Sequence, residues 1–162
     1  MNVKFINPFL EGTVSVLQTM AFINPRAGKP YLKKENRAKG DISAIIGITG
    51  SVVGSLALSF SEKCIIRIVS NMLGEDIKSL NGDIKDAVGE ITNMVSGVAR
   101  QKLEQEGMVL KAAIPTVVTG RSHSISHVLG GPSIIIPFET DDGPFVVDIC
   151  LGESKNGTAL SS

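Results

Sequence analysis

Apolar residues recur every three or four positions in three stretches of the chain, which is the spacing of one face of an α-helix. The pattern predicts three helices: from Asn7 to the pair Asn24-Pro25, from Ser61 to about Met72, and from about Asp83 to Glu106. Asn7 and Ser61 have side chains that cap helix N-termini, and a glycine follows each of the last two segments.

Runs rich in β-branched residues fill much of the remaining chain and predict strands. Two hairpins are expected: residues 42–49 with 52–60 around Gly50-Ser51, and residues 133–138 with 145–151 around Asp141-Asp142-Gly143. Shorter strands are predicted at 109–114 and 116–119. Residues 25–40 are predicted as a loop with one short strand, and residues 120–132 as irregular.

This order of elements predicts an α+β sandwich, in which a largely antiparallel sheet of about six strands carries three helices on one face. The 162 residues suffice for a single domain, which we expect over residues 1–152. The small and polar residues 153–162 are expected to form a mobile C-terminal tail.

Charge and composition restrict the partners of the chain. It carries 16 Lys plus Arg and 16 Asp plus Glu, so nonspecific electrostatic binding to nucleic acid or to a membrane surface is not expected. No apolar run approaches the roughly 18 residues that span a bilayer, and the N-terminus has no signal-peptide core. Cys64 and Cys150 lie in apolar runs and are predicted to be buried, reduced thiols without a disulfide or a metal. These features predict a cytoplasmic protein.

The third predicted helix combines a regular apolar stripe with an unusual polar face. The stripe consists of Ile84, Val88, Ile91, Val95 and Val98. At about 100° per residue, the opposite side carries Asp86, Glu90, Asn93 and Gly97. Glu90 and Asn93 are three residues apart, so their side chains are neighbours. Gly89 and Gly97 each cost a helix about 0.5–1 kcal/mol relative to alanine, and we expect them to leave this face open to a partner.

The polar face on its own is also typical of ordinary solvated surface, but its spacing resembles a known signature. Asp86, Glu90 and Asn93, followed by Pro115, resemble the signature of the CheC/CheX/FliY family of chemotaxis phosphatases. That signature is an Asp or Ser, a Glu, an Asn and a downstream proline, and here the proline comes one residue early. The resemblance covers residues 2–152, since the succession of helices and hairpins also matches.

The resemblance implies a phosphatase that hydrolyses the aspartyl phosphate of a CheY-like response regulator. Asn93 is then expected to position the attacking water, and Glu90 to contact the receiver's lysine. Docking of the partner is expected to involve Asp86, Gly89 and Gly97. This mechanism needs no cofactor and no metal on the chain itself, while Mg²⁺ is expected in the receiver.

The first helix is expected to lack a second site. Family members with two sites repeat the signature there, but here Glu11 is followed three residues later by Val14, which cannot hold a water molecule. A single site per chain resembles the CheX branch, whose members pair into homodimers, so we expect a homodimer.

Two other functions stay open at this point. A non-catalytic receiver-binding or flagellar-switch module would use the same fold, although it does not need an amide three residues after a glutamate. A hydrolase of another type would need a nucleophile–base pair, and His123 and His127 lie in no recognisable motif of that kind. Both histidines are expected to be solvated.

Overall fold

Three helices pack on one face of an antiparallel sheet in the computed structural model, which describes residues 3–33, 39–124 and 133–153. The helices are α1 (Ile6–Ala21), α2 (Glu62–Leu73) and α3 (Gly82–Glu104), and a 3-10 turn (Val3–Phe5) precedes α1. The strands are β1 (Arg26–Ala27), β2 (Tyr31–Leu32), β3 (Lys39–Gly50), β4 (Val52–Phe60), β5 (Leu110–Ala112), β6 (Thr116–Ser124), β7 (Ile134–Thr140) and β8 (Gly143–Glu153). Within the described ranges, no helix has both the length and the apolar composition that a membrane crossing requires.

The eight strands occupy six positions in the sheet, because two pairs of strands each share one edge. The order is β1-β7-β8-β4-β3-β5, with β2 also pairing with β7 and β6 also pairing with β3. Every pair is antiparallel. The predicted α+β architecture, with three helices on a sheet of about six strands, is therefore confirmed.

Successive side chains of a strand point to opposite faces of the sheet, so every second residue faces the helices. In β3 the core face carries Ile42, Ala44, Ile46 and Ile48. Phe60, Phe138 and Phe145 are cross-strand neighbours on the same face, and their rings stack with centroids 5.1 Å and 4.8 Å apart. Aromatic pairs of this kind contribute about 0.5–1.5 kcal/mol beyond their buried area. The helices thus rest on a continuous apolar layer.

The start of α1 differs from the prediction. Asn7 is not the cap, since the helix already begins at Ile6 and Phe5 occupies the cap position without a side-chain hydrogen bond. Phe5 is only 1% exposed. Burial of this ring in the core, rather than a polar cap, therefore sets where the chain turns into the helix.

The N-termini of α2 and α3 lie where the sequence places them, and both are capped by side chains. Asn81 accepts a hydrogen bond from the Ile84 N–H at 3.0 Å, which caps α3. At α2, Ser61 holds the cap position, but the carboxylate of Asp41 accepts the hydrogen bond from the Glu62 N–H at 2.9 Å. A carboxylate at the N-terminus of a helix also interacts favourably with the positive end of the helix dipole.

The structure adds strand residues to two segments that were predicted as loops. In the first of them, residues 25–40, the described residues 25–33 contain two short strands, β1 and β2, instead of one; both pair with β7, and residues 39–40 already belong to β3. Residues 120–124, predicted as irregular, continue β6 and pair with β3 across a bulge between Gly40 and Ile42. Such pairing depends on partners far away in the sequence, which local composition does not reveal. Residues 154–162 of the predicted tail lie outside the described residues.

The face of the sheet opposite the helices holds buried polar side chains. The Lys33 ammonium lies 2.8 Å from the Asp148 carboxylate, and the two side chains are only 9% and 3% exposed. The Ser43 hydroxyl lies 2.6 Å from Nε2 of His123. The prediction of solvated histidines is wrong for His123, which is half-buried because β6 pairs with β3, and His127 lies outside the described residues. These buried groups are paired, as burial of polar atoms requires.

Cys64 and Cys150 are both free and buried, as predicted. Burial raises the pKa of the Cys64 thiol from its ordinary value of 9.0 to about 11, and a hydrogen bond from the Thr140 hydroxyl at 3.7 Å offsets part of this shift.

This shift predicts a loss of stability in alkali. Because the folded-state pKa of Cys64 lies above that of the unfolded chain, the unfolded chain loses its proton first as the pH rises. The stabilising contribution is complete below pH 9 and is lost towards pH 11, by roughly 2 kcal/mol. Urea unfolding of the parent and of Cys64→Ala across this range measures the effect. An identical pH dependence in the two proteins would contradict it.

Candidate active site

α3 exposes its polar side chains because its apolar stripe is fixed in the core. The fully buried part of this stripe consists of Ile84, Val88, Ile91 and Val95. Asp86, Glu90 and Asn93 lie on the other side of the helix and are exposed. Their predicted placement is thereby confirmed, whereas their roles stay predictions.

The position of α3 depends on close contact with α1. A Cβ atom added at Gly12 of α1 would lie 3.2 Å from the Val95 carbonyl oxygen and 3.4 Å from Val98 Cβ, so the two helices approach more closely than most side chains allow. On α1, Glu11 is exposed, but Val14 is half-buried and packs against the core. α1 therefore supports α3 and does not present a second pair of carboxylate and amide.

Gly89 lies beneath the signature proline and not on the open face. It is buried, and a Cβ atom added to it would lie 3.8 Å from Pro115 Cγ and 3.6 Å from Val117 Cγ2. The expectation of open space at Gly89 is therefore wrong, because the chain between β5 and β6 already covers this position. Pro115 thus packs against the turn of α3 that carries Glu90. Ile114, the neighbour of Pro115, is 88% exposed and places an apolar side chain at the edge of the site.

Gly97 lies on the open part of the face, beside a guanidinium that the sequence analysis did not single out. A Cβ atom added at Gly97 would meet Arg100 Nη2 at 3.9 Å, and no other side chain of the described residues within 4 Å. The Arg100 Nε–H donates to the Ser96 hydroxyl at 3.1 Å. Arg100 follows Asn93 by about two helical turns, and this spacing is the signal that could have identified it.

Glu90 and Asn93 are available to a partner. Among the described residues, neither side chain takes part in a hydrogen bond or an ion pair. A carboxylate only accepts hydrogen bonds, whereas a carboxamide both accepts and donates, so the pair can bind a cation and a water molecule side by side. Within the same described ranges, no three His, Cys, Asp or Glu side chains lie close enough together to hold a metal ion.

Comparison with known sequences relates the chain to a chemotaxis family. A family model described as chemotaxis phosphatase CheX matches residues 42–139, a range that includes α3 and Pro115. A relative from Thermotoga maritima, named CheY-P phosphatase CheX, is 32% identical over 126 residues, which is 77% of this chain and 81% of the relative.

Solved structures of chemotaxis proteins resemble this fold over nearly its full length. CheX from Desulfovibrio desulfuricans is 50% identical with a TM-score of 0.86, and the match covers 92% of this chain and 99% of that one. A chain in the crystal structure of the CheX–CheY–BeF3–Mg²⁺ complex from Borrelia burgdorferi is 26% identical with a TM-score of 0.79. That match covers 94% of this chain and 100% of the other.

Substitutions at Gly89 and Gly97 of α3 should have opposite effects on stability. Gly97→Ala is expected to raise the free energy of unfolding by about 0.5–1 kcal/mol, because alanine favours the helix and its methyl group would meet Arg100 Nη2 at 3.9 Å, an ordinary contact distance. Gly89→Leu is expected to lower it by about 1–3 kcal/mol, since the side chain would be forced against Pro115 and Val117. Urea unfolding measures both. Gly97→Leu is the matched control. If it lowered the free energy of unfolding as much as Gly89→Leu does, the contrast between a covered Gly89 and an open Gly97 would be wrong.

Proposed function

Because the chain belongs to the CheX family of chemotaxis phosphatases, we propose that it hydrolyses the aspartyl phosphate of a CheY-like response regulator. The observation that carries the proposal is the exposed pair of Glu90 and Asn93, adjacent on one turn of α3 and unpaired among the described residues. The Thermotoga relative is named for this activity on CheY-P. The Borrelia complex contains CheX, CheY, BeF3 and Mg²⁺, which supports a receiver as the partner.

Asn93 is assigned to the attacking water. Hydrolysis of a phosphoryl group depends on placing that water in line with the bond that breaks. The Asn93 side chain can accept a hydrogen bond from the water through its oxygen and donate another through its NH2 group, which fixes both position and orientation. Because the side chain projects from a well-packed helix into solvent, it can enter a receiver's site without rearrangement of the core. Positioning of this kind contributes several kcal/mol to the lowering of a barrier.

Glu90 is assigned to docking and register. Its carboxylate stands beside Asn93 and is expected to form a charge-assisted hydrogen bond with the receiver's lysine. Asp86 lies one turn before Glu90 and Gly97 one turn after Asn93, so both are placed to border the bound partner. Gly89 acts differently: it is buried and lets Pro115 pack against the turn of α3 that carries Glu90.

The chain needs no cofactor of its own for this reaction. Mg²⁺ in the receiver would supply neutralisation of the charge on the phosphoryl oxygens. The residues of this chain would hold the water, bind the lysine and exclude bulk solvent from the docked site. No covalent intermediate on the chain is required.

A panel of purified CheY-like receivers, phosphorylated with acetyl phosphate, tests the proposal through release of phosphate. Asn93→Ala is expected to lower turnover at saturating receiver by roughly a hundredfold while binding survives, because only the holder of the water is lost. Glu90→Ala is expected to raise the receiver concentration at half-saturation by roughly tenfold, because a charged contact is lost. Both variants should unfold within about ±0.5 kcal/mol of the parent, since the side chains are exposed.

Gln105→Ala removes an exposed amide near the end of α3 and serves as the matched control. Hydrolysis by Asn93→Ala at the parental rate would show that the mechanism is wrong. If the parent binds phosphorylated receivers and hydrolyses none of them, a non-catalytic receiver-binding or flagellar-switch module replaces the phosphatase.

We also propose a homodimer formed by extension of the sheet. Exposed apolar side chains line both edges: Tyr31 and Leu32 at β2 are 40% and 57% exposed, and Val118 at β6 is 37% exposed. Open strand edges of this kind favour pairing with another chain. Sedimentation at micromolar concentration should give twice the chain mass of 17.1 kDa. Leu32→Lys and Val118→Lys each place a positive charge at one edge of the sheet. The variant whose substitution lies at the dimer interface should be monomeric. A monomeric parent would exclude this assembly.

A further inference from the structure

Arg100 is held in a defined position on the face that carries Asn93. Helical side chains lean towards the helix N-terminus, so the guanidinium covers the turn before its own Cα. Its Nε–H donates to the Ser96 hydroxyl at 3.1 Å, and Ser96 is fully buried, so the acceptor is fixed. Its Nη2 lies beside Gly97, 3.9 Å from the place where a Cβ atom would be. The guanidinium is thus directed from Arg100 back towards Asn93.

The charge of Arg100 is not neutralised by the described part of the chain. No carboxylate there lies within 4.0 Å of its guanidinium nitrogens. The other charged side chains of the predicted site, Asp86 and Glu90, are both acidic. A phosphorylated carboxylate is an anion, and like charges brought together across an interface oppose association. A cation on the same face offsets this repulsion.

We propose that Arg100 is a docking residue, which attracts and orients the anionic groups around the receiver's phosphoryl group and leaves the chemical step to Asn93. The inference rests on the proposed function, because it assigns a role within the same site. With Nε bound to Ser96, the remaining guanidinium N–H groups form a planar donor set that suits carboxylate or phosphoryl oxygens. Gly97 has no side chain to cover this donor set.

A structural role for Arg100 makes a different prediction. Cations near the C-terminus of a helix also stabilise the helix dipole, and Arg100 lies one turn before the end of α3. Lys102 provides the comparison: it carries the same charge in the last turn, about 200° around the helix axis from Arg100. An effect of charge on the helix should be at least as large at Lys102, whereas an effect on docking should occur only at Arg100.

The experiment uses the receiver that the parent hydrolyses fastest in the panel described above. Turnover and half-saturation are measured at low and high ionic strength for Arg100→Gln, Arg100→Lys and Lys102→Gln. Arg100→Gln should raise the receiver concentration at half-saturation by roughly tenfold at low salt and keep turnover within about twofold of the parent. It should also make the concentration at half-saturation less dependent on salt. Arg100→Lys, which keeps the charge without the planar donor set, should be intermediate, and Lys102→Gln should match the parent.

The outcomes separate this inference from the proposed function. If Arg100→Gln and Arg100→Lys match Lys102→Gln in half-saturation and salt dependence, while Asn93→Ala has lost turnover, only the role of Arg100 is overturned. If the parent hydrolyses none of the receivers, both are overturned. Thermal unfolding of each variant is measured as well. If Arg100→Gln does not fold, Arg100→Lys decides the outcome: a receiver concentration at half-saturation equal to that of the parent would overturn the docking role of Arg100.

Discussion

The packing of one face of α3 against the sheet and α1 sets the rotation of the helix about its own axis, and the geometry of the candidate site depends on that rotation. Ile91 and Val95 are fully buried, so Glu90 and Asn93 must lie outside. A rotation by one residue, about 100°, would expose an isoleucine and bury a carboxylate, at a cost of several kcal/mol. The exposed pair is therefore held in place by the hydrophobic core, although neither side chain belongs to it.

A close approach of α1 on one side of α3 and side-chain packing on the other complete this arrangement. Gly12 of α1 lets the Val95 carbonyl come near, and Gly89 accepts Pro115 on the other flank. Both glycines serve packing within the chain. Of the three glycines Gly12, Gly89 and Gly97, only Gly97 has open space above it apart from one guanidinium, so the absence of a side chain there can serve a partner. Glycines on the same two helices thus have different physical roles.

The site that results is simple, and its simplicity fits a reaction in which the partner supplies most of the chemistry. A carboxylate and an amide on a rigid exposed helix can bind and position, which suits a phosphoryl group that already sits in a receiver. Stability and activity are largely separate in such a design, since removal of an exposed side chain leaves the core intact. The buried pair of Lys33 and Asp148 lies on the other face of the sheet and contributes to the fold, not to this site.

The sequence by itself determined the three helices, both hairpins and the exposed face of α3, because periods of 3.6 and 2 report which side of an element is apolar. The resemblance to a signature then identified Glu90, Asn93 and Pro115. Tertiary structure alone decided which distant residue covers a given position: Pro115 lies over Gly89, and Ser43 lies against His123. It also decided the two short edge strands and the length of β6. Such contacts depend on the position of a side chain or on a partner distant in the chain, and periodicity carries no information about either.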